Sequence, residues 1–370
     1  MKNNTMTAII IGILCAILAL TVGATVLLIA WDNITSNKTD ETESETVNHE
    51  IPISPPMELA DERHLTFLKT EDDKAYTVKG LLGEVGAIKV VIPETYNGLP
   101  VIGIENDAFS SSADLVTVVM PDTLKYIGEG AFESCAKLKN VTLSQNLEYV
   151  GDFAFDGCDS LELKEYDNAL YLGSEEHPYT MLMSAKNTEI ESCKIHKDTR
   201  IIYASAFFDC VDLCEISIPD GICQIGVRAF EECYDLFPNP DESSPEYIYT
   251  KDAYYLGNEK NPFLVLVEAR NNNGVTSVTV HNDTKIIAAG AFVGCENLKS
   301  INIPDGLRVI GEFAFEKCTS LKSVTTSSGG SWFILIPDAV YKNTAVSTND
   351  SEKFTLNLVE KYYSCPFIKQ

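Results

Sequence analysis

The chain has 370 residues, of which 45% are apolar and 22% are charged, so it can bury a substantial core and does not have the composition of a disordered chain. Its 54 acidic residues against 28 basic ones give a formal net charge of −26. A surface this acidic repels phosphate backbones, and no basic stripe occurs, so the composition predicts no nucleic-acid partner.

The chain begins with a long apolar segment, residues 8–31, after a short stretch, residues 1–7, whose one charged side chain is Lys2. As a helix the uncharged run would be about 34 Å long, against about 30 Å of bilayer hydrocarbon. The basic residue before it and the acidic residues after it predict a transmembrane signal anchor, with the N-terminus cytoplasmic and the C-terminal part extracellular. A cleaved signal peptide and a buried core helix are the alternatives.

The segment that follows, residues 32–62, is acidic and rich in Thr, Ser and Pro. It contains nine acidic residues and one base, Lys38. Such a composition cannot bury a core, so the segment is predicted to be an extended tether between the membrane and the folded part.

Between residues 63 and 327 a 23-residue repeat recurs, with two longer intervals of 52 and 62 residues. The dipeptide Ala-Phe occurs seven times, with Leu six residues after each Phe and Cys three residues after it in six of the seven repeats. The seven Phe residues are Phe109, Phe132, Phe155, Phe207, Phe230, Phe292 and Phe315. One such repeat cannot bury its apolar edge alone, so the period predicts a stack of repeats, a solenoid.

Each repeat is expected to contain a strand, a turn, a second short strand ending at Ile-Gly, and a single helical turn. In the strand, alternation predicts that Val141 and Leu143 are buried on one face. In the helical turn, Phe and Cys stand three residues apart and share the inward face. The predicted fold is therefore a β-rich α/β leucine-rich-repeat solenoid over residues 63–327.

The repeat resembles the BspA-like leucine-rich repeat family. From Leu298 to Leu321 the residues follow Leu-x-x-Ile-x-Ile-Pro-x-x-Leu-x-x-Ile-Gly-x-x-Ala-Phe-x-x-Cys-x-x-Leu, and Tyr76 to Ile102 resembles the module that starts such repeats. The resemblance implies adhesion or ligand binding at a microbial surface.

Two insertions, near residues 162–198 and 237–283, interrupt the repeat and match each other. The aligned segments are Ala169–Gly173 with Ala253–Gly257, and His196–Ile202 with His281–Ile287. Each is expected to form a strand, a Pro-containing turn and a second strand. Insertions in a solenoid collect on one face, which is often the binding face.

The aromatic residues of these insertions are the predicted ligand contacts, because aromatic side chains give a large contact area at a low entropy cost. They are Tyr171, Tyr179, Tyr254, Tyr255 and Phe263. The alternative is that they pack against the flank of the solenoid.

After the repeats, residues 328–370 are expected to cover the apolar edge of the last one. Ser331–Ile336 predicts a final strand. Asp350 can cap a helix that carries Phe354, Leu358 and Tyr362 on one face.

No catalytic, cofactor or metal site is predicted, because no known catalytic or phosphate-binding motif occurs. The Cys residues that recur once per repeat are expected to be reduced and to pack as small apolar groups, although neighbouring repeats are close enough for disulfides. A zinc site at Cys210, Cys214, Cys223 and Cys233 is disfavoured, since two of these positions belong to the inward repeat. His196 and His281 occupy equivalent positions, which favours a structural role.

Together these features predict a non-enzymatic surface protein that binds an extracellular protein or glycan and is held in the lipid bilayer by residues 8–31. An envelope-organising protein without a soluble ligand is one alternative. An enzyme with a site that no motif reveals is the other.

Overall fold

The structure is a computed structural model of the chain. It describes residues 56–70, 72–83, 86–237, 252–269, 274–326, 331–334, 344–347, 354–355, 357–361 and 366–369. The predicted signal anchor, residues 8–31, lies outside the described residues, as does most of the predicted tether. Within the described ranges, no helix has the length and apolar character needed to cross a membrane.

The described residues are almost entirely strands and turns. The strands of the first part are β1 (Met57–Ala60), β2 (Leu65–Lys69), β3 (Tyr76–Leu81), β4 (Ala87–Val91), β5 (Thr95–Tyr96), β6 (Leu99–Ile104), β7 (Thr117–Val119), β8 (Tyr126–Ile127), β9 (Asn140–Thr142) and β10 (Tyr149–Val150). Those of the middle part are β11 (Lys164–Tyr166), β12 (Ala169–Leu172), β13 (Met181–Ala185), β14 (Ser192–Lys194), β15 (Ile201–Ile202), β16 (Glu215–Ser217) and β17 (Gln224–Ile225), followed by a 3-10 turn at Tyr234–Leu236. Those of the last part are β18 (Ala253–Leu256), β19 (Val265–Ala269), β20 (Ser277–Thr279), β21 (Ile286–Ile287), β22 (Ser300–Ile303), β23 (Val309–Ile310), β24 (Ser323–Thr326), β25 (Ser331–Ile334), β26 (Thr344–Ser347) and β27 (Phe367–Lys369).

Consecutive repeats stack in parallel, with each residue opposite its counterpart one repeat later. Thr117 pairs with Asn140, and Ser300 pairs with Ser323. The longer strand of each repeat forms one series of sheets, with strand orders β1-β4-β7-β9, β14-β16 and β20-β22-β24. The short strands form a second series on another side, so that the apolar side chains between the two series build the core. Val141 and Leu143 are buried there, as predicted.

The third side of each repeat is a chain of turns, which corrects the expected helical turn. In all seven repeats the residues two before and two after the Phe have positive φ, between 54° and 74°, as at Asp107 and Ser111 around Phe109. Two left-handed residues within five positions are incompatible with an α-helix. The repeats are therefore all-β, and the α/β part of the predicted fold class is wrong for them.

Hydrogen bonds and stacked rings link these turns from one repeat to the next. Phe109 N–H donates to the carbonyl of Ala131, 2.8 Å away, and the rings of Phe109 and Phe132 stack with centroids 5.3 Å apart. Where the stack is uninterrupted, a Cys thiol donates to the Phe carbonyl of the repeat before it, as Cys135 does to Phe109 at 3.1 Å. The same bond occurs at Cys158, Cys233 and Cys318. Each turn is thus tied to its neighbour by backbone, thiol and ring.

The folded part begins earlier than predicted. β1 pairs in parallel with β4, and its residue Ala60 is completely buried. Met57–Ala60, which the sequence assigns to the tether, continues the first sheet of the solenoid and covers its otherwise open edge.

The C-terminal residues extend a sheet of the last part. β27 pairs with β23 and with β25, and all these pairs are antiparallel. The predicted helix corresponds to residues 354–355 and a π-helical turn, Asn357–Lys361, with Phe354 and Leu358 buried. Asp350 and Tyr362 lie outside the described residues.

Candidate functional site at the hairpin insertions

Each insertion is built around an antiparallel β-hairpin: hairpin 1 is β12–β13 and hairpin 2 is β18–β19. The two have the same register, including a shift after the second residue of the first strand. Hairpin 1 lies between the Phe155 and Phe207 turns, which we name the first junction. Hairpin 2 lies between the Phe230 and Phe292 turns, the second junction. At each junction the stack of Ala-Phe turns is interrupted, because the hairpin has no such turn.

Hairpin 1 holds a cluster of aromatic rings. Tyr171 is fully buried, and its ring meets Tyr179 edge to face at 5.4 Å. Tyr179 is half-buried and lies against the imidazole of His196, with centroids 4.1 Å apart. Tyr166 meets the same imidazole edge to face at 4.8 Å. The Tyr171 hydroxyl accepts a hydrogen bond from His196 N–H at 3.3 Å, which ties the cluster to the next repeat.

Hairpin 2 has an equivalent cluster. Among the described contacts it has no counterpart of Tyr166. Tyr255 is buried, and its ring meets Phe263 at 5.4 Å. Phe263 stacks on His281 with centroids 3.8 Å apart. The Tyr255 hydroxyl accepts from His281 N–H at 3.3 Å. The same hydrogen bond, from His N–H to the Tyr hydroxyl, therefore occurs in both hairpins, which agrees with the alignment of the two insertions.

The two histidines act as turn-forming residues. His196 Nδ1 accepts from the N–H of Asp198 at 3.3 Å, and His281 Nδ1 accepts from Asp283 N–H at 3.2 Å. Nδ1 is therefore unprotonated, and the remaining proton of the neutral ring is on Nε2. Burial lowers the pKa of His196, in agreement with a neutral ring. These contacts support the structural role expected for both residues.

The predicted ligand residues thus divide into two groups. Tyr171 and Tyr255 belong to the core and present no surface to a ligand. Tyr179 and Phe263 are half-buried against their histidines, and Tyr254 is half-buried against Phe237, 5.3 Å away. These three keep an exposed part of their rings, and their contact with a ligand stays a prediction.

The second junction contains a cavity of about 550 Å³ that is open to solvent. Its walls come from the Phe230 turn, from Val267 and Glu268 of β19, and from the residues that begin the next repeat, Ala288 and Ala289. The apolar floor is edged by acidic side chains. Glu231 forms an ion pair with Arg228, whereas Glu268 has no cation beside it among the residues the structure describes.

Glu268 lines the cavity and is exposed to solvent. Partial desolvation raises the pKa of Glu268, and the nearby charge of Glu231 raises it further. A cation brought into the cavity would relieve both effects. Sequence reasoning missed this site, although the run Ala288-Ala289 in place of the usual Gly and a larger residue was a visible signal.

A second concave region, of about 610 Å³, lies at the start of the solenoid. Phe67 and Tyr96 stack there with centroids 3.9 Å apart, and Tyr76 meets Tyr96 edge to face. These rings contact one another closely, so they serve the packing of the first repeat.

A buried carboxyl joins the Phe155 repeat, before hairpin 1, to the Phe315 repeat, which is the second one after hairpin 2. The Tyr149 hydroxyl donates a hydrogen bond to Glu312, and both side chains are buried. Burial raises the pKa of Glu312 to about 8, and the charges of Asp152 and Glu129 also raise it. Burial likewise raises the pKa of Asp152, to about 6. Glu312 therefore carries a proton at neutral pH.

All nine cysteines in the described ranges are free thiols. Cys210 and Cys233 are buried, Cys223 is partly exposed and Cys214 is exposed. In the part of the chain that the structure covers, no three His, Cys, Asp or Glu side chains are grouped so that they could hold a metal ion.

The stacked 23-residue repeats, with their Phe and Cys ladder, define a leucine-rich-repeat solenoid. The pattern of the BspA type leucine rich repeat region matches six copies, at residues 96–175, 184–249 and 268–356. The chain belongs to this family.

Solved structures of bacterial repeat proteins are similar to the chain. A leucine-rich repeat protein of T. pallidum shows 20% identity over 71% of this chain and 91% of its own, with a TM-score of 0.32. One from Bacteroides ovatus shows 23% identity over 72% and 70%, with a TM-score of 0.32. A leucine rich cell surface protein from Faecalibacterium prausnitzii shows 23% identity over 73% and 76%, with a TM-score of 0.31. No curated protein sequence matches the chain.

Proposed function

We propose that the chain is a non-enzymatic surface protein whose solenoid binds an extracellular protein or glycan. Residues 8–31 anchor it in the lipid bilayer, with the N-terminus cytoplasmic and the C-terminal part outside the cell. Family membership supports the proposal, because BspA-type repeats build an extended scaffold. A scaffold of this kind binds through residues that the repeat itself does not require.

The observation that carries the proposal is the cavity at the second junction. Elsewhere the recurring frame of the repeats is occupied by its own packing, since the Phe and Cys positions and six of the seven Leu positions are buried. At the second junction, apolar and acidic side chains line a solvent-open space large enough for a small ligand or a protruding side chain.

The strong acidity of the chain narrows the range of possible partners. A net charge of −26 disfavours polyanions and favours neutral or basic ligands. Glu268, which is exposed in the cavity, also favours a basic ligand.

Binding is tested with the full-length protein in detergent or nanodiscs, applied to arrays of extracellular proteins and glycans. We expect a discrete set of ligands whose binding weakens in Tyr254→Ala, at the edge of hairpin 2. Leu59→Ala, an exposed residue on the first sheet, is the matched control and should leave binding unchanged. A folded protein that retains no ligand on either array contradicts the proposal.

The anchor is tested separately, by extracting cell membranes with alkaline carbonate and treating intact cells with protease. We expect the chain to stay in the membrane pellet and its solenoid to be accessible to protease from outside. Release of the whole chain by carbonate contradicts the anchor and leaves the binding proposal intact.

A further inference from the structure

The two junctions are filled differently at equivalent positions. Counting back four residues from the Phe of the repeat that follows each hairpin gives Tyr203 at the first junction and Ala288 at the second. The hairpin register pairs Tyr171 with Leu182 and Tyr255 with Leu266, so the next residues, Met183 and Val267, are also equivalent. Both positions therefore carry a smaller side chain at the second junction.

Tyr203 fills the first junction by reaching back to the preceding turn. Its ring meets the ring of Phe155 edge to face at 6.4 Å. Its hydroxyl accepts a hydrogen bond from Phe155 N–H at 3.0 Å. In an uninterrupted stack this N–H would donate to the next Ala carbonyl, as Phe132 N–H does to Ala154. The tyrosine thus supplies both the ring and the acceptor that the hairpin leaves out.

The second junction lacks both. Ala288 is at the tyrosine position, and it lines the cavity together with Phe230 and Val267. Phe230 is the counterpart of Phe155, and its N–H has no acceptor among the described residues. The backbone hydrogen bond from each hairpin to the next Ala-Phe turn is present at both junctions: Ala269 N–H donates to Ala291, and Ala185 N–H donates to Ala206.

We infer that the second junction binds the side chain of a tyrosine presented by a partner polypeptide, in the place that Tyr203 occupies at the first junction. The phenol ring lies between the Phe230 turn and Ala288, and its hydroxyl accepts from Phe230 N–H. Glu268 at the edge of the cavity selects tyrosines with a basic neighbour in the partner sequence. This assignment rests on the proposed function, whose unnamed ligand it specifies.

The first experiment titrates the full-length protein with N-acetyl-tyrosinamide and with N-acetyl-phenylalaninamide, by calorimetry or ligand-observed NMR. We expect one site per chain and about fivefold to tenfold weaker binding of the phenylalanine probe, because it lacks an acceptor for the Phe230 N–H. Equal affinity for the two probes, or no binding of the tyrosine probe, overturns the inference.

The second experiment fills the cavity. Ala288→Tyr restores the arrangement of the first junction and should abolish binding of the tyrosine probe. Ala288→Val, a smaller change that is less disruptive to folding, should weaken it several-fold. Val211→Tyr adds a tyrosine at an exposed position outside the cavity and should leave probe binding unchanged. Undiminished probe binding to folded Ala288→Tyr or Ala288→Val shows that the probe binds elsewhere and overturns the assignment.

A third measurement tests the acidic edge. A Lys-Tyr-Lys peptide should bind more tightly than N-acetyl-tyrosinamide, and Glu268→Gln should remove that advantage without changing affinity for the neutral probe. If both probes lose affinity equally, the selectivity assigned to Glu268 is wrong. If the array ligands bind Ala288→Tyr as tightly as they bind the wild type, the proposed function stands, but this cavity is not the site where those ligands bind.

Discussion

The two hairpin junctions have the same strand pairing, the same buried tyrosine in the first hairpin strand and the same histidine after the hairpin, but they differ in what fills the gap beside them. At the first junction Tyr203 closes the space and completes the hydrogen bonding of Phe155. At the second junction Ala288 leaves a cavity of about 550 Å³. Two matching insertions can therefore leave the space beside them filled in one case and open in the other, through two side chains.

The largest expected effect comes from emptying the first junction. Tyr203→Ala removes a buried ring and leaves Phe155 N–H without its acceptor, so the free energy of unfolding should fall by about 3–5 kcal/mol. Urea denaturation of the full-length protein measures this. Tyr203→Phe keeps the ring and should cost only about 1 kcal/mol. If Tyr203→Ala costs no more than Tyr203→Phe, the ring does not fill the junction as described.

The next effect concerns the contact that spans both junctions, between Tyr149 and Glu312. The pKa of Glu312 is about 8 in the folded chain and 4.5 as the unperturbed value, so the folded state holds the proton more tightly. Stability is therefore highest at low pH for this group and falls as the pH rises from about 4.5 to 8. We expect the free energy of unfolding to be about 3–4 kcal/mol lower at pH 8 than at pH 5.

Glu312→Gln cannot ionise and should remove most of this pH dependence, leaving the smaller part due to Asp152, whose pKa is about 6. Glu316→Gln, on the same turn, is the matched control and should leave the slope as in the wild type. A slope that Glu312→Gln does not change would show that the repeats before hairpin 1 and after hairpin 2 are not coupled through this carboxyl.

The smaller difference between the hairpins themselves can be tested at the histidines. His196 contacts both Tyr166 and Tyr179, whereas the described ring contact of His281 is with Phe263. We expect His196→Ala to cost about 2 kcal/mol and His281→Ala about 1 kcal/mol, from lost ring contacts and a lost acceptor for the turn. Thermal or urea unfolding of the two variants compares them directly. Equal costs would mean that the extra ring at hairpin 1 contributes nothing.

Sequence reasoning predicted the repeat, the inward positions of Phe109 and Cys135 and the two matching hairpins, because each of these follows from a period visible in the residues. It did not predict the turns, since the positive-φ positions carry different residue types from repeat to repeat, such as Asp107, Gly130 and Phe153. It also named Tyr171 and Tyr255 as ligand contacts, although both are buried, because residue type alone does not show which way a side chain of a hairpin faces.

The cavity was harder to predict for a different reason. It depends on comparing Tyr203 with Ala288, whose equivalence the sequence shows, and Met183 with Val267, whose equivalence follows from the hairpin register. Tyr203 and Ala288 both replace the Gly that precedes the Ala-Phe turn in most repeats, but the sequence does not show that one fills the space beside the hairpin and the other leaves it open. The alignment of the two insertions shows that the residues differ between the junctions. It does not show which of the two junctions is filled.

The smallest expected effect is the difference in stability contributed by the Cys thiol of a repeat that follows a hairpin and that of a repeat in an uninterrupted stack. Cys233 follows a regular repeat, and its thiol donates to the Phe207 carbonyl at 3.0 Å. Cys210 follows hairpin 1, where no Phe turn precedes it, and its sulfur lies 3.9 Å from the carbonyl of Asn187. Both are buried to the same degree, so the cost of lost volume on substitution by Ala is similar.

Cys233→Ala should therefore be more destabilising than Cys210→Ala by about 0.5–1 kcal/mol, the contribution of one hydrogen bond. Cys233→Ser retains a donor and serves as the control, with a cost closer to that of Cys210→Ala. Urea denaturation under reducing conditions measures all three. If Cys210→Ala were the more costly variant, the hydrogen bond from the Cys thiol to the preceding Phe carbonyl would not be what stabilises these repeats. Packing around Cys210 would then have to compensate for the interruption at hairpin 1.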